Sequence, residues 1–552
     1  MSELPGVGVG RGTASGPVLR MAAPLGEPDQ TPLQGDAEAA KSRVGEALAY
    51  VASDLATRGA AAGGDAQAVL EAQALMAQDP SILDDVHAQI DSGTNPERAV
   101  FNAFKSFQDI LAGMGGYMGE RAADLGDVAQ RIIAQLRGVH APGVPESDTP
   151  FVLVARDLAP ADTALLDLDK VLALITRDGG PTSHTAILAR AKGITAIVGV
   201  TAADDLEDGE IVIVDAAAGV VVTDPTSDQI DEADRKRAER LAAVNAPLTP
   251  GALKDGTLVP LLANVGSPND APAAVAAGAE GVGLFRTEFL FLDSPYAPDV
   301  ATQKASYVAL LKEFPGKKVV VRALDAGADK PLPFLTDKGE ENPALGRRGL
   351  RALRHHEQIL RDQLTALAEA DAETDADLWV MAPMVADLEE TEYFVGLARA
   401  LGIRTAGVMA EVPSLALMAD QVLQAADFVS IGTNDLTQYT MAADRMLGSV
   451  ASYQDPWHPA VLRLVAQLGE AGRAVSKGVG ICGEAASDPL LAVVLVGLGA
   501  TTLSMTPAAL ADVRAELKNH TLDEARAMAK AALAAPSAAA ARAASASVSP
   551  SL

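Results

Sequence analysis

Thiols are almost absent: Cys482 is the one cysteine in 552 residues. No intramolecular disulfide framework can form, which fits a reducing, cytoplasmic setting. Aromatic residues make up only 4% of the chain against 49% hydrophobic residues overall, so alanine and the aliphatics must carry the packing. Cations are scarce too. Lys and Arg number 44 against 73 Asp and Glu, a formal net charge of −29. That balance argues against nucleic acid or an anionic membrane as partner and allows a basic protein. No apolar run reaches the ~18 residues of a spanning helix. The start, MSELPGVGVG, lacks a signal-peptide pattern, so a soluble cytoplasmic protein is expected. The glycine-rich residues 4–20 lack GxxxxGK[ST] and a following helix. They read as one or two short strands with tight turns rather than as a phosphate loop.

The most informative stretch that is present is GGPTSHTAILARAKGITAIVGV, residues 179–200. Gly179 and Gly180 give a turn, Pro181 presets φ, and Thr182 and Ser183 are good helix N-cap residues. Ile187 and Leu188 supply an apolar face, and Gly193 sits where a glycine would end a short helix. Thr195 to Val200 reads as a buried strand. His184 then falls in the first helical turn, behind a glycine loop. The positive end of the helix dipole favours neutral imidazole there, and free N–H groups welcome a phosphoryl group. A phosphohistidine is one reading of these residues. A capped surface helix that happens to carry a histidine is the other.

Around this stretch the chain changes character several times. Residues 36–137 keep helical spacing, as in Val44, Leu48, Val51 and Leu55 or Leu125, Val128, Ile132 and Leu136, which predicts a bundle of four or five helices. From Pro150 four strand-like runs follow, at 151–155, 171–176, 195–200 and 210–215, with Leu158 to Leu166 a short helix candidate. The N-terminal strands are expected to complete that sheet, which makes the bundle an insertion. Residues 226–245 form a charged helix without a strong apolar face, a solvated linker. From 251, eight strand candidates alternate with helical segments, the pattern of a (β/α)8 barrel. Residues 536–552 are low-complexity and expected to be disordered.

Polar residues collect where the barrel strands end. Arg286 and Glu288 close the second run, Arg322 and then Asp325, Asp329 and Lys330 the third, and Glu411 the fifth. Asn434 and Asp435 close the sixth, followed by Arg445, while Cys482 and Glu484 close the seventh. Arg348 lies in the segment after the third strand. Arginines clamp phosphate and carboxylate oxygens, and Glu411 with Asp435 could hold one Mg²⁺. The implied ligand is a small, multiply anionic phosphate ester. The plainer reading is a set of barrel-mouth salt bridges.

The stretch at His184 resembles the phosphohistidine motif shared by enzyme I of the bacterial phosphoenolpyruvate:sugar phosphotransferase system, pyruvate phosphate dikinase and phosphoenolpyruvate synthase. GVGLFRTEFLF, VVVRALDAGADK, ENPALGRRGLR, GVMAEVPS, SIGTNDLTQYTMAADR and GICGEAASD are similar, in the same order, to the phosphoenolpyruvate-binding barrel of enzyme I. ERAADLGDVAQRI (120–132) resembles its helical domain, and the likeness spans roughly residues 4–535. The resemblance implies a multidomain α/β protein. A swivelling phosphohistidine α/β domain (1–30 and 141–225) carries an inserted all-helical domain (31–140) that binds the phosphocarrier protein HPr. A linker helix (226–250) leads to a C-terminal (β/α)8 TIM barrel (251–535) that binds phosphoenolpyruvate and forms a homodimer, and 536–552 is the tail. It implies that His184 is phosphorylated on Nε2 by phosphoenolpyruvate and passes the group to HPr, with release of pyruvate. Arg286, Arg322 and Lys330 would face the phosphoryl group, with Arg348 assisting. Asn434, Asp435 and Arg445 would hold the substrate, Glu411 and Asp435 the Mg²⁺, and Cys482 would protonate the enolate carbon.

Pro181 stands where enzyme I usually has arginine, Ala328 where it has glycine, and Arg347 where an aromatic is common. An acidic rim of Glu71, Asp79, Asp84 and Asp85 is the candidate HPr surface. Two competing readings remain open. One is an enzyme of the dikinase or synthase type, which would need a large ATP-binding domain where this chain has about 100 residues of helices. The other is a regulatory protein with a silent barrel.

Overall fold

The computed structural model describes residues 2–548 except 11, 23–24, 63, 115, 140, 142, 146, 159–165, 168, 181–182, 184, 187–188, 190–192, 245, 293–294, 327–331, 337–338 and 446. The chain forms two compact units, Met1–Glu239 and Arg240–Leu552.

The first unit holds an eight-stranded sheet: β1 (Ser2–Pro5), β2 (Val7–Val9), β3 (Thr13–Arg20), β4 (Phe151–Ala155), β5 (Val171–Thr176), β6 (Ala196–Val198), β7 (Ile211–Asp215) and β8 (Val220–Thr223). Their spatial order is β1-β8-β7-β3-β4-β5-β6-β2. The run β3-β4-β5-β6 is parallel and the flanking pairings are antiparallel. Both faces are covered. Val152 and Val154 enter one apolar cluster, and Phe151, Leu153 and Ala155 the other. Burial on two sides is why these strands read as unbroken apolar runs rather than alternating ones. The glycine-rich start yields three strands, not one or two, and β8 was not among the expected strands.

Between β3 and β4 the chain folds into α1 (Ala37–Ala62), α2 (Gly64–Met76), α3 (Pro80–Asp91), α4 (Pro96–Met114) and α5 (Gly116–Arg137). Val44, Leu48, Val51 and Leu55 of α1 pack with Val86, Ile90, Phe104, Val128 and Ile132 in one core. Asn95 Oδ1 accepts from the Arg98 N–H at 2.9 Å, and Pro96 opens α4 where its missing N–H costs nothing. The charged segment after the sheet is the helix Ser227–Val244.

The second unit is a closed barrel of eight parallel strands: β9 (Leu261–Val265), β10 (Val282–Phe285), β11 (Lys318–Arg322), β12 (Asp377–Ala382), β13 (Thr405–Ala410), β14 (Phe428–Ile431), β15 (Gly478–Ile481) and β16 (Thr502–Met505). Alternate residues divide its packing. Val319 and Val321 join the large core shared with the surrounding helices, whereas Val320 meets Met381, Met409, Phe428 and Cys482 in a separate inner cluster. No helix among the described residues is long and apolar enough to cross a membrane.

One expectation fails here. The tail expected to be disordered contains the helix Ala538–Val548. Alanine is the strongest helix former, and this helix is not left in water. Ala541 and Ser545 are fully buried, and Ser545 Oγ donates to Met528 O at 3.2 Å.

Candidate active site

Four segments at the C-terminal rim of the barrel bring charge together. Arg322, the last residue of β11, is buried and pairs with Glu288 beyond β10. Its Nη1 lies 3.1 Å from Asp325 Oδ2. Arg348 grips Asp325 through Nε and Nη2, at 3.2 and 3.1 Å. It also reaches Asp435 through Nη1 and Nη2, at 2.8 and 3.2 Å. Arg445 Nη1 completes the chain at 3.2 Å from Asp435 Oδ2. The result is a row of alternating cations and anions running across the mouth.

Burial sharpens this electrostatics. It disfavours the Arg322 cation, but Glu288, Asp325 and Glu411 outweigh it and raise the affinity for its proton above the ordinary value. It also works against ionised Asp325, which Arg322 and Arg348 nevertheless hold below the usual carboxylate range. Glu411 goes the other way. Burial, with Asp435 and Asp325 adding negative potential, pushes its carboxyl up to about 8. Its Oε1 accepts the Met384 N–H at 2.9 Å, delivered by a residue held at φ 56. Such a left-handed backbone carries strain that packing must hold in place. Two buried polar atoms, Arg322 Nε and Glu288 Oε2, have no hydrogen-bond partner among the described residues.

Cys482 follows β15 and is 1% exposed. Burial pushes its thiol up to about 12, so it stays protonated at neutral pH. The segment is tight. A Cβ on Gly483 would fall 1.9 Å from Thr433 Oγ1, so only glycine lets the chain pass there. Asn434 Oδ1 accepts the Glu484 N–H at 3.1 Å and ties the ends of β14 and β15 together. Asn264 donates to Cys482 O at 3.1 Å.

With this geometry in view, comparison with known proteins is decisive. Residues 243–522 match the PEP-utilising enzyme, PEP-binding domain, residues 147–219 the PEP-utilising enzyme, mobile domain, and residues 5–121 the PEP-utilising enzyme, N-terminal domain. A phosphoenolpyruvate-protein phosphotransferase of Streptomyces coelicolor is 54% identical, over 97% of this chain and 97% of its own. The chain belongs to the phosphoenolpyruvate-protein phosphotransferase family. Members from Bacillus subtilis and Haloferax volcanii are 38% and 41% identical, covering 95% and 86% of this chain and 96% and 85% of their own.

In this phosphotransferase-family barrel, Arg322, Arg348, Glu411, Asp435, Arg445 and Cys482 lie on segments that follow or end the barrel strands on one rim. Arg286 follows β10 with its side chain exposed, near enough to Cys482 for its charge to be felt there. Lys330 lies outside the described residues, as do His184, Pro181, Ala328 and most of the helix expected at Leu158 to Leu166. Thr182, Ile187 and Leu188 are also outside the described residues, while Gly179, Ser183, Thr185, Ala186 and Gly193 are described. Gly179 has φ 101, Ser183 Oγ accepts the Ala186 N–H at 3.2 Å as an N-cap does, and Gly193 has φ 69. Buried Thr185 donates to Asp157 Oδ1 at 2.9 Å. Glu288 and Asp325, which the sequence shows only as carboxylates near strand ends, are partners of the arginines. Gln363 belongs with them although no sequence motif marks it. It is buried, donates to Thr287 Oγ1 and Tyr307 Oη at 3.2 and 3.0 Å, and accepts the Leu324 N–H at 2.9 Å, just before Asp325. Its signal was a polar residue set in the apolar stripe Leu360, Leu364 and Leu367.

Proposed function

We propose that this chain takes the phosphoryl group of phosphoenolpyruvate onto His184 and passes it to the histidine of a phosphocarrier protein, HPr, releasing pyruvate. The observation that carries this reading is the convergence of Arg322, Arg348 and Arg445 with Glu288, Asp325 and Asp435 on one rim of a closed barrel, with Glu411 close enough to feel Arg322, Asp325 and Asp435. Phosphoenolpyruvate offers a phosphate and a carboxylate, and arginine forks bind both bidentately. Here the forks are held in place by carboxylates before substrate arrives, so little reorganisation accompanies reaction. The unpartnered Nε of Arg322 is a buried donor available to an incoming oxygen.

Glu411 and Asp435 are the residues that would hold Mg²⁺. Two hard carboxylates suit an ion that keeps water and substrate oxygens in the rest of its shell. Glycine at 432 leaves the space beside Glu411 open, since a Cβ there would come within 2.9 Å of Oε2. When bound, such an ion neutralises charge on the phosphate oxygens.

The neutral imidazole of His184 attacks phosphorus through Nε2. The N–P bond forms as the P–O bond to the enol oxygen breaks, and the electron pair leaves on that oxygen. The enolate carbon then takes the proton of Cys482 Sγ–H to give pyruvate, and solvent restores the thiol. Arg286 and Lys330 complete the set of cations facing the phosphate, and Asn434 positions the segment beside it. For HPr, the bundle offers a groove of about 690 Å³ between α1, α2 and α3, lined by Leu48, Ala52, Glu71, Ala74, Leu75 and Leu83. Asp79 of the candidate acidic rim is spent on capping α3, where it accepts the Ser81 N–H at 2.9 Å. The same reading places the protein in the cytoplasm as a homodimer joined through the barrel.

Incubation with radiolabelled phosphoenolpyruvate and Mg²⁺ tests the proposal. Acid-labile label is expected on the wild type and not on His184→Ala, and added HPr should remove it. Bound phosphoenolpyruvate without any label would sink the reading. Label that HPr cannot chase would keep the chemistry and discard that acceptor.

A further inference from the structure

The family match to the barrel ends at residue 522. Beyond it, the helix Ala538–Val548 carries the one charged side chain of residues 536–552, Arg542. Its guanidinium lies 5.3 Å from the centroid of the Trp457 ring, and Nη1 is 4.0 Å from Asp488 Oδ2. Trp457 is fully buried, and its indole N–H donates to the same Asp488 Oδ2 at 2.8 Å. Asp488 in turn caps the helix Pro489–Leu498, accepting the Leu491 N–H at 3.1 Å.

These contacts join two segments of the barrel mouth. Trp457 ends the stretch that leaves β14 through Arg445. Within that stretch the Gln454 amide donates to Ala443 O, and the Arg445 N–H donates to Gln438 Oε1 at 2.9 Å. Asp488 ends the stretch that leaves β15 through Cys482, where its own N–H donates to Ala485 O at 3.2 Å. The Trp457–Asp488 bond therefore ties the Arg445 segment to the Cys482 segment. Arg542 closes over that bond from outside, on a helix anchored by buried Ala541 and Ser545.

We propose that the helix Ala538–Val548 is a strap on the barrel mouth and that Arg542 is a positioning residue, holding the segments that carry Arg445 and Cys482 in register for phosphoenolpyruvate. The proposal rests on the reading that this mouth takes phosphoenolpyruvate. A guanidinium that is itself partly open to solvent, over a buried indole, gives a modest effect. Arg542→Ala should therefore raise the half-saturating phosphoenolpyruvate concentration roughly two- to fivefold. A chain ending at Ala535 should show at least the same shift. Arg542→Lys keeps a cation over the ring and should recover most of it.

The experiment is the rate of label transfer from phosphoenolpyruvate to the full chain across substrate concentrations, for the wild type, Arg542→Ala, Arg542→Lys and the shortened chain, each with its melting temperature. A shift in half-saturation that Lys restores supports the strap. Unchanged half-saturation in Arg542→Ala overturns it, whether or not the shortened chain melts earlier. Equal impairment of Ala and Lys variants also overturns it. A wild type that binds phosphoenolpyruvate but takes no label would instead remove the functional reading beneath it.

Discussion

Lys318 and Arg322 open and close the same strand, β11, and share the inward parity of Val320. The barrel treats them in opposite ways. At the floor, the Lys318 ammonium sits 3.4 Å from the centroid of the Trp379 ring and 5.6 Å from that of Phe428. Burial pushes it down to about 8, with only Asp377 opposing. At the mouth, three carboxylates outweigh burial and strengthen the charge on Arg322. Depth inside a barrel does not decide whether a cation persists; the counter-charges placed around it do. The end rich in paired charge is also the end where the candidate catalytic groups gather.

Removing Arg322 is the hardest blow to that contrast. Arg322→Ala leaves Glu288 buried without its partner and Asp325 with Arg348 alone, at a cost of about 3–5 kcal/mol in stability. Loss of a preorganised donor should also lower the rate of label transfer about 10³-fold. Urea denaturation and labelling kinetics measure the two. Arg322→Lys keeps the charge without the fork and should fall between. Lys318→Met should leave labelling near wild type. If it abolished labelling as Arg322→Ala does, the division into a reactive mouth and a structural floor would fail.

Cys482 sharpens the comparison from the other side, because it is a buried acid that no cation ionises. Cys482→Ala should still accept label from phosphoenolpyruvate. Its exchange of pyruvate methyl protons with solvent should drop about 10²-fold, which proton NMR in D₂O would follow. Retained exchange would take the proton-donor role away from this thiol.

Much of this barrel was legible in the sequence. Parallel strands covered on their outer face by helices are short apolar runs, and the polar residues ending them mark the mouth. What the sequence hid was pairing. Arg348 meets Asp325 and Asp435 across separations of 23 and 87 residues, and no local pattern records such a contact. Gln363 was hidden because a buried amide looks like a surface residue until its partners are known. The tail misled for a related reason. Alanine-rich composition reads as disorder when nothing shows a surface for it to pack on, yet Ala541 found one. Glu288 was visible only as a strand-end carboxylate.

The remaining expected effect lies at the floor and touches stability alone. The folded-state affinity of Lys318 for its proton is lowered to about 8 from 10.5. Below pH 8 the ammonium is charged in both states, and its burial is a constant penalty on folding. Between about pH 8 and 10.5 the folded chain has lost the proton that the unfolded chain still binds, so stability rises with pH. A shift of that size corresponds to a penalty on the order of 3 kcal/mol, relieved across that window. Packing on Trp379 offsets part of the penalty in both charge states. Lys318→Met removes the titrating group while keeping a flexible side chain against the indole. Urea unfolding at pH 7.5 and again near pH 10 should show a smaller gain with pH in Lys318→Met than in the wild type, and a variant more stable than wild type at the lower pH. Equal slopes would mean that water reaches the ammonium, and that the floor and the mouth differ less than their surroundings indicate.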